Sequence, residues 1–115
     1  MPNAQEFLNG FGLVPGTMFA DYQLVTATAT HQTIKRYQEY EYHITLVFMG
    51  HAPNMNDTHY RKLFDVVMAT TTQQHTIYGV RNPYRCTIEN PTYGSITGTP
   101  SGPITFTVVG HSYRI

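Results

Sequence analysis

The sequence predicts an α+β domain with a mostly antiparallel sheet of four to five strands, one main amphipathic helix and a long loop near the C-terminus. Residues 37–48 alternate apolar and polar side chains, which is typical of a half-buried strand. Residues 57–69 repeat apolar side chains at the spacing of a helix. Residues 90–103 hold three prolines and three glycines, which favour a loop. A chain of 115 residues suits a single domain, residues 1–115, with one core.

The strand and the helix that follows it form the most clearly patterned unit of the chain. One face of the predicted strand carries five apolar side chains: Tyr40, Tyr42, Ile44, Leu46 and Phe48. Gly50 and Pro53 then interrupt the strand, and Asn54 or Asn56 can cap the helix. We expect the apolar face of the strand to pack against the apolar stripe of this helix.

The remaining segments predict shorter elements around this unit. Residues 1–16 contain Gly10, Gly12, Pro15 and Gly16, so we expect an N-terminal arm without a long helix. Residues 31–33 are the predicted turn of a hairpin. Further strands are predicted, in chain order, at residues 18–30, 75–81, 84–89 and 104–115. Gly110 in the last strand indicates a bulge or a close approach to the backbone.

Composition narrows the classes of function. Charged residues are only 12% of the chain, and the formal net charge is zero. This balance argues against a sequence-specific nucleic-acid partner, and no apolar run is long enough to span a membrane. A low charge suits a surface that is covered by partners, although Thr, Ser, Asn and Gln can also supply the polarity. No secretion signal is evident at the N-terminus, so we expect the protein to act without crossing a membrane.

Cysteine and histidine give no metal or cofactor pattern. Cys86 is the single cysteine, which excludes an intrachain disulfide and favours a small buried apolar side chain. The six histidines form no pair at the spacing of a zinc site. We therefore predict no bound metal and no cofactor.

The stretch HITLVFMG, residues 43–50, resembles the first His-x-Thr motif of the 2H phosphoesterase family. On a strand, His43 and Thr45 share a face, where a histidine can transfer a proton and a hydroxyl can orient a phosphate oxygen. The resemblance implies a second such motif, and the sequence offers only His111-Ser112-Tyr113 and His31-Gln32-Thr33. The first has Tyr in place of Thr, and the second lies too close to His43. A small phosphoesterase acting on cyclic phosphates or RNA ends is therefore the alternative function, and no catalytic residue is predicted.

The order of elements from residue 19 to residue 115 resembles the tail-terminator proteins of long-tailed bacteriophages, also described as minor tail protein U-like or tail-completion proteins. EYEYHITLVF matches the long strand of that family, NDTHYRKLFDVVM its helix, and ITFTVVGHSYRI its closing strand. The resemblance implies a virion structural protein that is assembled in the host cytoplasm. Copies of the chain would form a homo-oligomeric ring, and this ring would contact other virion proteins. Related neck and tail-joining proteins share the pattern, and an uncharacterised small binding domain is a further alternative.

Lengths predict where neighbouring subunits would meet. At about 3.3 Å per residue the long strand reaches roughly 40 Å. The helix, at about 1.5 Å per residue, reaches only about 20 Å and leaves one end of the strand uncovered. We therefore expect neighbouring chains to bury that end and the loop of residues 90–103. The predicted interface residues are Tyr37, Tyr40, Tyr42, Tyr93 and Ile96. The alternative is that the N-terminal arm folds back over Tyr40 and Tyr42, using Phe7, Leu8 and Phe11.

Overall fold

A computed structural model describes residues 3–33, 39–73, 75–78, 83–92 and 100–114. These residues form two helices and six strands of one sheet. The elements in chain order are α1 (Ala4–Gly10), β1 (Met18–Phe19), β2 (Tyr22–Thr33), β3 (Glu39–Gly50), α2 (Asp57–Thr71), β4 (His75–Tyr78), β5 (Pro83–Thr92) and β6 (Ile104–Arg114). None of the described helices is long and apolar enough to cross a membrane.

The sheet has the strand order β1-β2-β3-β6-β5-β4, and every neighbouring pair is antiparallel. The predicted α+β class with a mostly antiparallel sheet is confirmed. The long strand β3 lies in the middle, where it pairs with β2 on one side and with β6 on the other. This placement explains its alternation, because a central strand must bury one face completely. Both edges of β3 are also satisfied by backbone hydrogen bonds from its neighbours.

Helix α2 covers the end of the buried face at which β3 finishes. The side chain of its N-cap residue, Asn56, accepts hydrogen bonds from the backbone N–H groups of Thr58 and His59 at 3.0 and 3.3 Å. The buried side chains of the helix include Leu63 and Val67. The Phe64 ring meets Phe106 of β6 edge-on, with 6.3 Å between centroids. The predicted helix and its cap are confirmed.

The N-terminal segment docks on the core, and its one helix is short, in agreement with the expectation of an arm without a long helix. Asn3 and Glu6 form a capping box, in which the Glu6 N–H donates to the Asn3 side chain at 2.8 Å. Helix α1 then buries Phe7 and Leu8. The chain remains buried beyond the helix at Phe11 and Leu13. Gly10, Gly12, Pro15 and Gly16 end the helix after two turns but do not prevent it.

Helix α1 covers the part of β3 that α2 does not reach. The Phe7 ring stacks on Tyr42, with 4.2 Å between centroids and 18° between planes. Phe7 also lies directly over Gly110, where a Cβ would overlap its ring. The sequence predicted a bulge or a close approach of backbones at Gly110, whereas the nearest neighbour in the structure is the Phe7 side chain. The fold of the arm over Tyr42, which the sequence left as an alternative, is the arrangement that the structure shows.

Two boundaries differ from prediction because backbone pairing continues past the expected breaks. Residues 31–33 are not a turn, since β2 runs to Thr33, which pairs with Tyr40. Strand β5 extends to Thr92, which pairs with Thr107. The first three residues of the predicted loop, 90–92, therefore belong to a strand, and residues 93–99 lie outside the described part of the chain. Its far end is fixed to the core, because the Tyr22 hydroxyl donates to the Pro100 carbonyl.

Candidate interaction surface

Both described helices lie on one face of the sheet, and the opposite face carries neither of them. The covered face holds the aromatic and aliphatic side chains of β3 and β6, such as Tyr42, Phe48 and Phe106. Because side chains alternate along a strand, the residues between them point the other way. We call the second surface the open face. It consists mainly of Thr, His, Glu, Val and Met side chains from β2, β3 and β6.

One end of the open face is apolar. Met18 and Met49 both flank Gln23 in the strand pairing, and both are exposed. Val25, at the irregularity between Leu24 and Thr26, is exposed nearby. Val47 continues the group and is half-buried. Apolar side chains grouped on a sheet surface that neither described helix covers are typical of a contact site rather than of a solvated face.

The middle of the open face contains a shallow depression of about 280 Å³. It is lined by His43 and Thr45 of β3, and by Thr107 and Val109 of β6, with Ile44 and Val108 beneath. Thr45 lies directly opposite Thr107, and His43 lies opposite Val109. The depression thus offers two hydroxyls and one imidazole, which can hydrogen-bond a small polar group.

The other end of the open face is ionic. The Nε2 atom of His43 lies 3.4 Å from a carboxylate oxygen of Glu41. The Nδ1 atom of His111 lies 3.6 Å from a carboxylate oxygen of Glu39. His111 also stacks on Tyr113, with ring centroids 5.9 Å apart and planes at 16°. Each histidine therefore has an acidic neighbour on the same face.

The strand register brings His43 and His111 to the same face but does not place both at the depression. His43 pairs with Val109 and His111 pairs with Glu41, so the two histidines sit two residues apart on adjacent strands. His43 lines the depression, whereas His111 lies beside Glu39 and Tyr113. Among the described lining residues there is thus one histidine, and a second acid or base is not positioned across from it. The side chains of His31 and His75 are outside what the structure describes.

Metal ligands are not gathered anywhere in the described part of the chain. The described residues contain no group of three or more His, Cys, Asp or Glu side chains that could hold a metal ion. Cys86 is buried in β5, among the residues of the core. Its burial agrees with the sequence interpretation of a small apolar side chain.

Of the five predicted interface residues, the structure describes two, Tyr40 and Tyr42, and it corrects the prediction for Tyr42. Tyr42 is 0% exposed within its own chain, because α1 covers it, so the expectation that neighbouring subunits bury it is wrong. Its hydroxyl is 3.2 Å from the Ser112 hydroxyl, which satisfies both polar groups inside the core. Tyr40 is half-buried and packs against the core. Tyr37, Tyr93 and Ile96 lie outside the described residues.

The open face is a candidate surface that sequence reasoning did not identify. The alternating Thr residues of β2 were recognised as a strand signal, but alternation alone does not tell which face a helix covers. The missed signal is the capping box at Asn3 and Glu6, which predicts a second helix. Because both described helices lie on the buried face, neither of them covers the Thr-rich face.

Comparison with known proteins gives no relative for this chain. No protein-family model, no curated protein and no solved structure matches it.

Proposed function

We propose that this chain is a structural subunit of a homo-oligomeric assembly, of the tail-terminator or neck type found in bacteriophage virions. The observation that carries the proposal is the open face, which joins an apolar end to an uncharged, Thr-rich middle. A sheet with helices on one side only exposes such a surface to water unless another chain covers it. The assignment to a virion rests on the sequence resemblance alone.

Composition supports an assembling protein. A net charge of zero and a charged fraction of 12% leave little electrostatic repulsion between copies. The exposed apolar side chains Met18, Val25 and Met49 lie together at one end of the open face rather than singly. A partner surface that covers them gains free energy from burial, at about 25 cal/mol per Å² of apolar area.

Two methionines provide a matched test of this surface. Met49 on the open face is 38% exposed, and Met68 on α2 is 37% exposed. Because the two positions share residue type and exposure, Met49→Lys and Met68→Lys should perturb folding equally little. We expect Met49→Lys to reduce the assembled mass in sedimentation experiments, while Met68→Lys leaves it unchanged. Equal behaviour of both variants would contradict a specific role for the open face.

The virion part of the proposal needs a test of its own. Electron microscopy of the purified wild-type protein should show closed rings, and the Met49→Lys protein should show none. Discrete particles without a central opening would argue for an assembly of another kind. A uniform monomer in both samples would contradict the proposal as a whole.

A phosphoesterase is the second candidate, because His43 and Thr45 both line the depression together with Thr107. One imidazole and two hydroxyls can bind a phosphate group, and His43 could act as a base toward it. Hydrolysis of a 2′,3′-cyclic nucleotide by the wild-type protein, lost in His43→Ala and kept in His51→Ala, would favour this function. Absence of hydrolysis in the wild-type protein would remove it.

A further inference from the structure

The outer edge of β2 is a second candidate surface for association, because part of its backbone pairs with none of the described strands. Strand β1 pairs only with Tyr22 and Gln23. The next residue, Leu24, is also satisfied on this side, because its N–H donates to the Thr17 carbonyl at 2.9 Å and its carbonyl accepts from the Gly16 N–H at 2.8 Å. Beyond Leu24, none of the described strands pairs with this edge. The backbone there is available to another strand.

The register shows which residues of β2 face outward. The Gly50 N–H donates to the Ser101 carbonyl, on the side of β3 from which β6 continues. Bonding direction alternates along an antiparallel strand, so Leu46 and Ile44 also bond toward β6, whereas Thr45 and its alternate neighbours bond toward β2.

The partners in β2 follow from that alternation. Thr26, Thr28 and Thr30 oppose Val47, Thr45 and His43, and their backbone groups are therefore used inside the sheet. Ala27 and Ala29 oppose Leu46 and Ile44, so their N–H and C=O groups point out of the sheet. Neither alanine makes a backbone hydrogen bond to a described residue outside the strands.

This edge lacks the usual protection against pairing. Residues 25–30 read Val-Thr-Ala-Thr-Ala-Thr, with no charged residue and no proline. The Thr side chains lie on the open face and are exposed, while Ala27 and Ala29 lie on the covered face and are half-buried. Among the described pairs of β2 with β3, the register shifts once, between Leu24 and Thr26, at the start of the free portion.

The sequence of the free edge is the same in both directions, so an antiparallel second copy would place identical residue types opposite each other. Residues 26–30 read Thr-Ala-Thr-Ala-Thr, and Thr28 is the centre of this palindrome. We propose that a second copy of this chain adds its own β2 to this edge, antiparallel, with a two-fold axis at Thr28. The two six-stranded sheets then join into one continuous sheet.

The two-fold arrangement matches every group along the edge. Ala27 of one chain exchanges both backbone hydrogen bonds with Ala29 of the other, and the symmetric pair does the same. Thr28 faces Thr28 of the second copy, and Thr26 faces Thr30 of the second copy. Cross-strand Thr pairs are favourable, and no like charges meet. An isologous contact of this kind closes on itself, so it gives a dimer and not a fibre.

This inference rests on the part of the proposed function that makes the chain associate with copies of itself. It concerns a different surface, however, because the pairing uses the β2 edge and leaves the apolar end of the open face free for a further contact. A larger assembly would then be built from dimers.

Charge substitutions at the axis test the register. In Thr28→Lys two lysines face each other across the axis, and in Thr28→Glu two glutamates do. We expect either variant alone to have a dimer dissociation constant at least tenfold higher than the wild type. An equimolar mixture of the two should recover dimers. Thr72→Lys is the matched control, because Thr72 is an exposed Thr at the end of α2 that lies on neither β2 nor the open face, and it should dimerise like the wild type.

A cysteine crosslink supplies a second measurement that does not depend on charge. Thr28 and its symmetry mate form a non-hydrogen-bonded pair, whose Cα separation of about 4.5 Å falls within the range of a disulfide. Oxidised Thr28→Cys should therefore form a covalent dimer. Thr26→Cys alone should not, whereas Thr26→Cys mixed with Thr30→Cys should. The native Cys86 is buried and should not compete.

The outcomes separate this inference from the proposed function. Loss of dimers in Thr28→Lys with an unaffected Met49→Lys supports the edge pairing and removes the role of the open face. Loss of higher assemblies in Met49→Lys, with dimers that persist in Thr28→Lys and no crosslink in Thr28→Cys, overturns the edge pairing alone. A wild-type protein that stays monomeric at every concentration overturns both.

Discussion

The two faces of the sheet differ in whether helices pack on them. The covered face packs two helices against aromatic rings, with Phe7 on Tyr42 at one end and Phe64 on Phe106 at the other. The open face carries His43 and Met49, which are exposed, and Thr45, which is half-buried. Substitutions on the covered face should therefore change the free energy of unfolding, and those on the open face should change association.

The largest expected effect is the loss of the Phe7 ring. This ring is 0% exposed and fills the space between Phe11, Tyr42 and Gly110. We expect Phe7→Ala to lower the free energy of unfolding by about 3–5 kcal/mol, measured by urea denaturation. Val14→Ala, at an exposed position in the same segment, is the control and should cost about 0.5 kcal/mol or less. A small effect of Phe7→Ala would mean that α1 is not part of the core.

A methyl group at Gly110 should have the next largest effect. The added Cβ would overlap the Phe7 ring, and the Thr87 carbonyl oxygen lies only 3.2 Å from the same position. We expect Gly110→Ala to cost about 1–3 kcal/mol through overpacking. In the Phe7→Leu background the same substitution should cost less, because the smaller side chain leaves room. Equal costs in both backgrounds would show that the overlap is relieved elsewhere.

The sequence predicted those parts of the covered face that have a local sequence pattern. Helix α2 was predicted closely, because its apolar spacing and the Asn56 cap are both local signals. Strand β3 was predicted within two residues at each end for the same reason. Helix α1 agrees with the expectation of no long helix, but it was not predicted as a packed element, because glycine and proline after residue 10 were weighed above the Asn3 and Glu6 pair. The burial of Phe7 depends on Tyr42 and Gly110, which are distant in sequence.

The open face was less predictable, because it is the face of the sheet on which neither described helix packs. His43 and Thr45 were correctly placed on one face, since that follows from alternation alone. The approach of Thr107 to Thr45 depends on the pairing of β3 with β6, which are separated in the sequence by α2, β4 and β5. The free edge at Ala27 likewise depends on how far β1 extends. Neither relation has a local signal.

Alkaline pH should weaken the covered face in particular. Burial, opposed by a weaker effect of the Ser112 hydrogen bond, raises the pKa of Tyr42 from 10.0 to about 12. Burial also raises the pKa of Cys86 from 9.0 to about 12. As the pH rises, both groups ionise first in the unfolded chain, which stabilises the unfolded state. Their contribution to the free energy of unfolding is therefore complete below pH 9 and is lost progressively as the pH rises to about 12.

The phenol can be isolated by one substitution. We expect Tyr42→Phe to cost about 1 kcal/mol at neutral pH, because it leaves the buried Ser112 hydroxyl without its partner. The variant should also lose stability less steeply between pH 10 and 12 than the wild type, measured as the pH dependence of the unfolding free energy. An identical slope in the two proteins would contradict the raised pKa of Tyr42.

The smallest effect on stability is expected on the open face. His43 is exposed, and its only described ion pair is with Glu41, so His43→Ala should change the free energy of unfolding by about 0.5 kcal/mol or less. Thermal denaturation at neutral pH measures this directly. A loss as large as that of Phe7→Ala would show that the open face also belongs to the core and would end the contrast between the two faces.

The mass of the wild-type protein in solution tests the central claim most directly. If the open face and the β2 edge are association surfaces, sedimentation equilibrium over a wide range of concentrations should give a multiple of the 13.1 kDa chain mass. The smallest associated species should be the dimer. A single species of 13.1 kDa at every concentration would contradict the account, because both surfaces would then be stable in water without a second copy.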